Sequence, residues 1–234
     1  MIVKVCGMRD AQNIRDVVEA GADWIGLIFW SESKRFVSQI RGRGGLLPDY
    51  SSFGKAESGG DESGEVAANR PKPVKRVGVF VDDMPQTILT RVVNYKLDVV
   101  QLHGDESPVM IDNLRRTLDP DIRPGIEIMK TISIGEASDF AKCEPYIGHV
   151  DYFLFDTRCD GKGGSGRQFD WQMLSNYKFD VPFILSGGIG PDDAVRIKAL
   201  NHPQLLGVDV NSRFETEPAM KDAALVKRFI AELK

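Results

Sequence analysis

The chain has 234 residues, 42% hydrophobic and 27% charged, with 30 basic against 34 acidic side chains for a formal net charge of −4. Such a chain is too apolar for wholesale disorder, is long enough for one large domain or two small ones, and lacks the basic excess of a nucleic-acid binder. Cys6, Cys143 and Cys159 form an odd set without a C-x-x-C pair, which argues against a disulfide framework or zinc site. No apolar run reaches a membrane span, and Met1–Val5 reads as a strand rather than a signal peptide. A soluble, cytoplasmic protein is expected.

In chain order, short Val/Ile/Leu/Phe-rich runs predict strands at 2–6, 24–29, 76–81, 97–102, 125–130, 151–155, 182–186 and 206–210. Continuous apolar runs bounded by Gly, Pro or Asp suit strands covered on both faces. Helical patterns lie between them. Asp10 caps a helix that Gly21 stops, and Pro85, Pro108, Pro191 and Pro218 each stand where a helix begins, since proline's missing N–H costs little there. The last helix is expected to run from Glu217-Pro218 to about 233. Gln168–Tyr177 and Gly135–Lys142 carry fainter helical patterns.

Alternation repeated eight times means βαβ units around a parallel sheet. In roughly 230 residues that is a single (β/α)8 TIM barrel over 1–234. Predicted strands start roughly 20 to 30 residues apart, except for about 52 between the second and third. The excess, 41–73, is rich in Gly, Ser and acid and cannot bury enough apolar surface to offset its ordering entropy. It is expected to be a flexible insertion on the bottom face, following a short helical stretch at about 36–41. Within 49–65, five acids (Asp49, Glu57, Asp61, Glu62, Glu65) and one base (Lys55) give a net charge of −4, equal to that of the whole chain.

In such a barrel the chemistry sits at the C-terminal strand ends and the loops after them. That filter selects Cys6, Arg35, Gln101, His103, Asp156, Ser186-Gly187-Gly188 and Asn211-Ser212. A Gly-Gly turn lets backbone N–H groups converge on an anion, and the loop after strand eight can complete the nest, so Gly187, Gly188, Asn211 and Ser212 read as a phosphate site. Gly-Gly before a helix is also an ordinary tight turn. A lone Cys is as a rule a small buried hydrophobe; at a strand end, with a cation such as Arg9 beside it, Cys6 becomes a candidate base. Asp156 is either a loop Asp or an acid under the Gly-rich stretch 161–171. Arg35 is either a solvated surface residue or a bidentate carboxylate clamp. Gln101 and His103 alternate on one strand and both can point inward. With His149 and His202 in bottom-side connections, no metal cluster gathers. Lys4 and Asp209, on strands that neighbour in a closed barrel, are expected to pair inside it.

The motifs KVCGMRD (4–10), IFWSESKRFV (28–37), VGVFVDD (77–83), VVQLHGDES (99–107), LFDT (154–157), GGSGRQFDW (163–171), ILSGGIGPDD (184–193) and GVDVNSRFE (207–215), taken together and in order, resemble the phosphoribosylanthranilate isomerases of tryptophan biosynthesis. The resemblance runs from residue 2 to about 222 and fails only across 41–73. It implies an Amadori rearrangement of N-(5-phosphoribosyl)anthranilate, a small-molecule substrate, with no cofactor and no metal. It further implies Cys6 as general base, a protonated Asp156 as general acid, Arg35 on the anthranilate carboxylate, His103 near the aromatic ring, and phosphate held at Gly187, Gly188, Asn211 and Ser212. No nucleic-acid or membrane partner is implied; a monomer is expected, with a homodimer left open. Two positions depart from the family pattern: Lys34, where Pro is common, loosens its loop, and Arg213, where Gly is frequent, would be strained at positive φ. The alternatives are the related sugar-phosphate isomerase of histidine biosynthesis, which carries Asp at both equivalent strand ends, and a catalytically silent phosphosugar-binding barrel.

Overall fold

A computed structural model describes residues 1–38, 74–157 and 168–234. Eight parallel strands close into a barrel in sequence order: β1 Ile2–Val5, β2 Trp24–Ile28, β3 Lys75–Phe80, β4 Val99–Leu102, β5 Glu127–Ile134, β6 Tyr152–Thr157, β7 Phe183–Leu185 and β8 Leu205–Val210. Closure is the pairing of β1 with β8, in the register Ile2 to Gly207 through Val5 to Val210. All eight strands fall where the apolar runs predict them. β5 alone is markedly longer, because Thr131–Ile134 continue its alternation and pair with β6 as far as Thr157.

The helices are α1 Ala11–Glu19, α2 Pro85–Tyr95, α3 Pro108–Leu118, α4 Ala194–Lys198 and α5 Ala223–Leu233. Asp10 caps α1 by accepting from the backbone N–H groups of Gln12 and Asn13 at 2.9 and 2.8 Å. The two fainter patterns form 3-10 turns instead, Ala137–Tyr146 and Trp171–Asn176. Pro145 inside the first of these cannot supply a helical N–H.

Pro218 does not open the last helix. It lies in the turn between two short antiparallel strands, β9 Glu215–Glu217 and β10 Met220–Lys221. The helix starts after Asp222, whose side chain accepts from Leu225 N–H at 3.0 Å; an Asp N-cap satisfies a helix donor, which Pro218 cannot do. The helical stretch expected at 36–41 is also absent as far as the described residues reach. Phe36 bridges Ile28, and Val37 N–H donates to Ile28 C=O at 2.8 Å. The remainder of that stretch and the whole of 41–73 lie outside the described residues. The chain leaves them from the C-terminal end of β2 and re-enters at the N-terminal end of β3.

Inside the barrel, Trp24, Val77, Val99, Met129, Leu154 and Ile184 form an apolar plug. Beneath it Lys75 pairs with Glu127 at 2.5 Å, and Tyr152 OH donates to the same carboxylate at 2.9 Å. The interior is thus packed from the floor upward, and the cavity opens at the C-terminal strand ends. Lys4, fully buried, donates to Asp209 at 2.8 Å, the pair expected from the sequence. Among the described residues no helix is long and apolar enough to cross a membrane.

Candidate active site

A solvent-open cavity of about 140 Å³ occupies the barrel mouth. Cys6, Arg35, Gln101, His103, Asp156, Gly187, Gly188, Asn211 and Ser212 all line it. They come from the ends of β1, β2, β4, β6, β7 and β8, so closing the sheet is what brings them together.

Cys6 follows β1, and its N–H donates to Val210 C=O of β8 at 2.9 Å. It is only 4% exposed, at the base of the cavity rather than out in the mouth. Burial pushes its thiol above its ordinary value; the Lys4 ammonium opposes this, Asp209 adds to it, and Lys221 opposes it again. Lys4 and Lys221 are therefore cations that act on the thiol, and the Arg35 guanidinium interacts with it as well. Arg9, the cation expected from sequence, is exposed and turned toward the carbonyl of Lys34 at 3.5 Å. Lys4 itself is held charged: burial works against its ammonium, but Asp209 and Cys6 raise it above its ordinary value.

Asp156 ends β6 with its side chain 28% exposed. Burial, with Asp209 as the next cause, pushes its carboxyl up to about 6, against the hydrogen bond it accepts from Thr157 N–H at 2.9 Å. At pH 7 about a tenth of the molecules then carry the protonated acid. His103 Nε2 stands 3.9 Å from Asp156 Oδ2 across the same wall. Gln101 donates to Thr131 Oγ1 at 3.1 Å, while its amide oxygen is buried without a partner.

Gly187 and Gly188 both adopt positive φ, +91° and +66°. A Gly-Gly turn at positive φ leaves the backbone bare for the close approach of a ligand. A Cβ on Gly187 would lie 2.6 Å from the backbone nitrogen of Thr157, so no side chain fits there. Asn211 turns its side-chain oxygen to Lys221 Nζ at 2.8 Å. Ser212–Phe214 form a 3-10 turn in which Arg213 has ordinary negative φ, so the strain expected there does not arise. Nor is the loop at Lys34 loose: Arg35 N–H donates to Ser33 Oγ at 3.1 Å and Phe36 N–H to Ser33 C=O at 3.0 Å.

Arg35 differs from a waiting clamp. Its Nε and one terminal nitrogen already donate to the two carboxylate oxygens of Glu215, each at 2.7 Å. Sequence reasoning passed over Glu215 and its second partner Lys221, because both lie beyond the strand-end window. It also passed over Trp30, which lines the cavity two residues after β2, and gave Asp209 only a structural part although it lines the cavity too. The strand-end position of Asp209 was a signal that could have found it. Among the described residues no group of three or more His, Cys, Asp or Glu side chains could hold a metal ion.

Residues 49–232 match the family model described as N-(5'-phosphoribosyl)anthranilate isomerase. The N-(5'-phosphoribosyl)anthranilate isomerase of Parabacteroides distasonis is 42% identical over 233 residues, covering 100% of this chain and 93% of that protein. The crystal structure of phosphoribosyl anthranilate isomerase from Thermotoga maritima has a TM-score of 0.70 at 28% identity, covering 100% of this chain and 98% of that one. A crystal structure of a phosphoribosyl anthranilate isomerase in complex with reduced 1-(o-carboxyphenylamino)-1-deoxyribulose 5-phosphate has a TM-score of 0.69 at 26% identity over 100% of this chain and 98% of that one.

Proposed function

The chain belongs to the N-(5'-phosphoribosyl)anthranilate isomerase family of tryptophan biosynthesis, and we propose that Cys6 is the base and Asp156 the acid of its reaction. That reaction is the Amadori rearrangement of N-(5-phosphoribosyl)anthranilate to 1-(2-carboxyphenylamino)-1-deoxyribulose 5-phosphate. The observation that carries the assignment is the meeting of a strand-one thiol and a strand-six carboxyl on the walls of one cavity.

The chemistry asks for such a pair. Protonated Asp156 gives its proton to the ring oxygen; the bond from that oxygen to C1 breaks and leaves an iminium. The iminium acidifies the C2 hydrogen, which the Cys6 thiolate removes to form an enolamine. Tautomerisation of the enolamine gives the ketone. Substrate filling the cavity removes Asp156's remaining solvent exposure, which raises its pKa further and favours the proton-carrying form. Only proton transfers are required, each typically contributing 10²–10⁴-fold. Gly187, Gly188 and the backbone at Asn211-Ser212 hold the phosphate, Arg35 meets the anthranilate carboxylate, and Gln101 and His103 contact the sugar and aromatic portions. The analogue bound by the related structure carries both the carboxylate and the phosphate that this arrangement would need to grip.

We read residues 1–234 as one barrel domain, with 41–73 as its insertion, acting as a cytoplasmic monomer. A thiol paired with a carboxyl, and family similarity along the whole chain, favour this reading over the histidine-pathway isomerase and the silent barrel. The test is a fluorescence assay following loss of phosphoribosylanthranilate. Cys6→Ser and Asp156→Asn should each lose at least about 10²-fold in turnover with KM little changed. Full activity in either variant removes that residue from its role.

A further inference from the structure

We propose that Glu215 is a positioning residue for substrate recognition: it fixes the Arg35 guanidinium so that its free edge faces the cavity. The proposal rests on Arg35 meeting the substrate carboxylate. Glu215 itself does not line the cavity, and its side chain is only 5% exposed. Its two oxygens take the Nε edge of Arg35 in parallel bonds of 2.7 Å each. This fork geometry fixes the plane of the guanidinium as well as its place. Among the described residues the other terminal nitrogen has no partner, which leaves that edge for a ligand.

The other end of the device is equally tied. Lys221, with its side chain fully buried, donates to Glu215 at 2.5 Å and to Asn211 Oδ1 at 2.8 Å. Its backbone N–H and C=O are both held by the Asn13 side chain on α1, at 2.8 Å each. Beneath the Arg35 stem lies Gly7, with φ +75°; a Cβ there would stand 2.4 Å from Arg35 Cδ. The arginine is thus pressed onto the backbone next to Cys6 and held from behind.

Charge distinguishes this arrangement from a plain surface ion pair. Lys221 already neutralises Glu215, so the group Arg35–Glu215–Lys221 carries one net positive charge, and Arg35 is its member at the cavity. Glu215 consequently orients that charge without cancelling it. A carboxylated aromatic ligand would find a preset donor edge and would not have to immobilise a flexible side chain.

The test compares two ligands: reduced 1-(o-carboxyphenylamino)-1-deoxyribulose 5-phosphate and the same compound made from aniline, which lacks the carboxylate. Binding is measured by calorimetry for wild type, Arg35→Ala, Glu215→Gln and the double variant Glu215→Gln/Lys221→Met. The double variant leaves no unpaired buried ammonium and keeps the test open should the single variant fail to fold. Misplacing the donor edge should weaken the carboxylated ligand on the order of tenfold and the aniline compound far less, with KM raised in Glu215→Gln. Equal losses for both ligands in the Glu215 variants, alongside selective loss in Arg35→Ala, overturn the role of Glu215 alone. Unselective loss in Arg35→Ala overturns the carboxylate contact and this inference with it.

Discussion

Burial drives Cys6 and Asp156 in the same direction, toward their neutral forms. A base needs its thiolate, however, and an acid its proton. Lys4 and Asp209 act on both groups in the same sense, Lys4 favouring the anion and Asp209 the proton; Lys221, which favours the anion of the thiol, is the neighbour that distinguishes Cys6 from Asp156. With burial prevailing, alkylation of Cys6 by iodoacetamide should rise with a midpoint above the ordinary thiol value of 9.0. Mass spectrometry of a variant lacking Cys143 and Cys159 would follow it; a midpoint below 9.0 would mean that the lysines outweigh burial. In the proposed reading Arg35 meets a part of the substrate remote from the bonds that break. Arg35→Ala should therefore raise KM in steady-state assays and leave kcat nearly constant; an unchanged KM would refute the contact.

Elements carry these side chains to their places, and two linkages decide how firmly. The Lys4–Asp209 pair joins β1 to β8 where the barrel closes, with the two side chains 0% and 8% exposed. Lys4→Met leaves a buried carboxylate without its cation and should cost about 3–5 kcal/mol, whereas Lys4→Met/Asp209→Leu should recover much of that loss. Asn13 on α1 makes two buried hydrogen bonds to the backbone of Lys221. Asn13→Ala should cost on the order of 2–3 kcal/mol, read by urea unfolding. Strands were legible in the sequence because a strand covered on both faces must be a continuous apolar run. The nine residues that meet at the cavity were legible because a barrel confines its chemistry to strand ends. Less legible was whatever depends on distant partners: nothing local at position 35 announces Glu215, 180 residues away. Pro218 misled because a proline suits a hairpin turn as well as a helix start, and Ala219 at φ +69° completes that turn. The cation at Cys6 was sought at Arg9, whereas Lys4, two residues before it on β1, and Lys221, brought in by the fold, are the ones that act on it.

At the scale of the whole molecule, catalysis and stability compete at Asp156. An unfolded chain lets this carboxyl ionise at its ordinary value of 3.8, whereas the folded barrel holds it to about 6. Between those values the unfolded state releases the proton first, so folding loses ground as pH rises, and above about 6 the full penalty stands. Below 3.8 both states are protonated and the penalty vanishes. Asp156→Asn replaces the carboxyl with a neutral group of the same shape, which can still accept from Thr157 N–H. The variant should therefore be more stable than wild type by on the order of 1–3 kcal/mol at pH 8, and by less at pH 5, while losing turnover. Urea unfolding at the two pH values reads both the sign and the trend. Equal stability of variant and wild type at pH 8 would mean that the folded barrel imposes no penalty on this carboxylate. A gain that grows with pH while activity is lost would mark Asp156 as a group the barrel keeps at a cost to its own stability, because an acid is needed there.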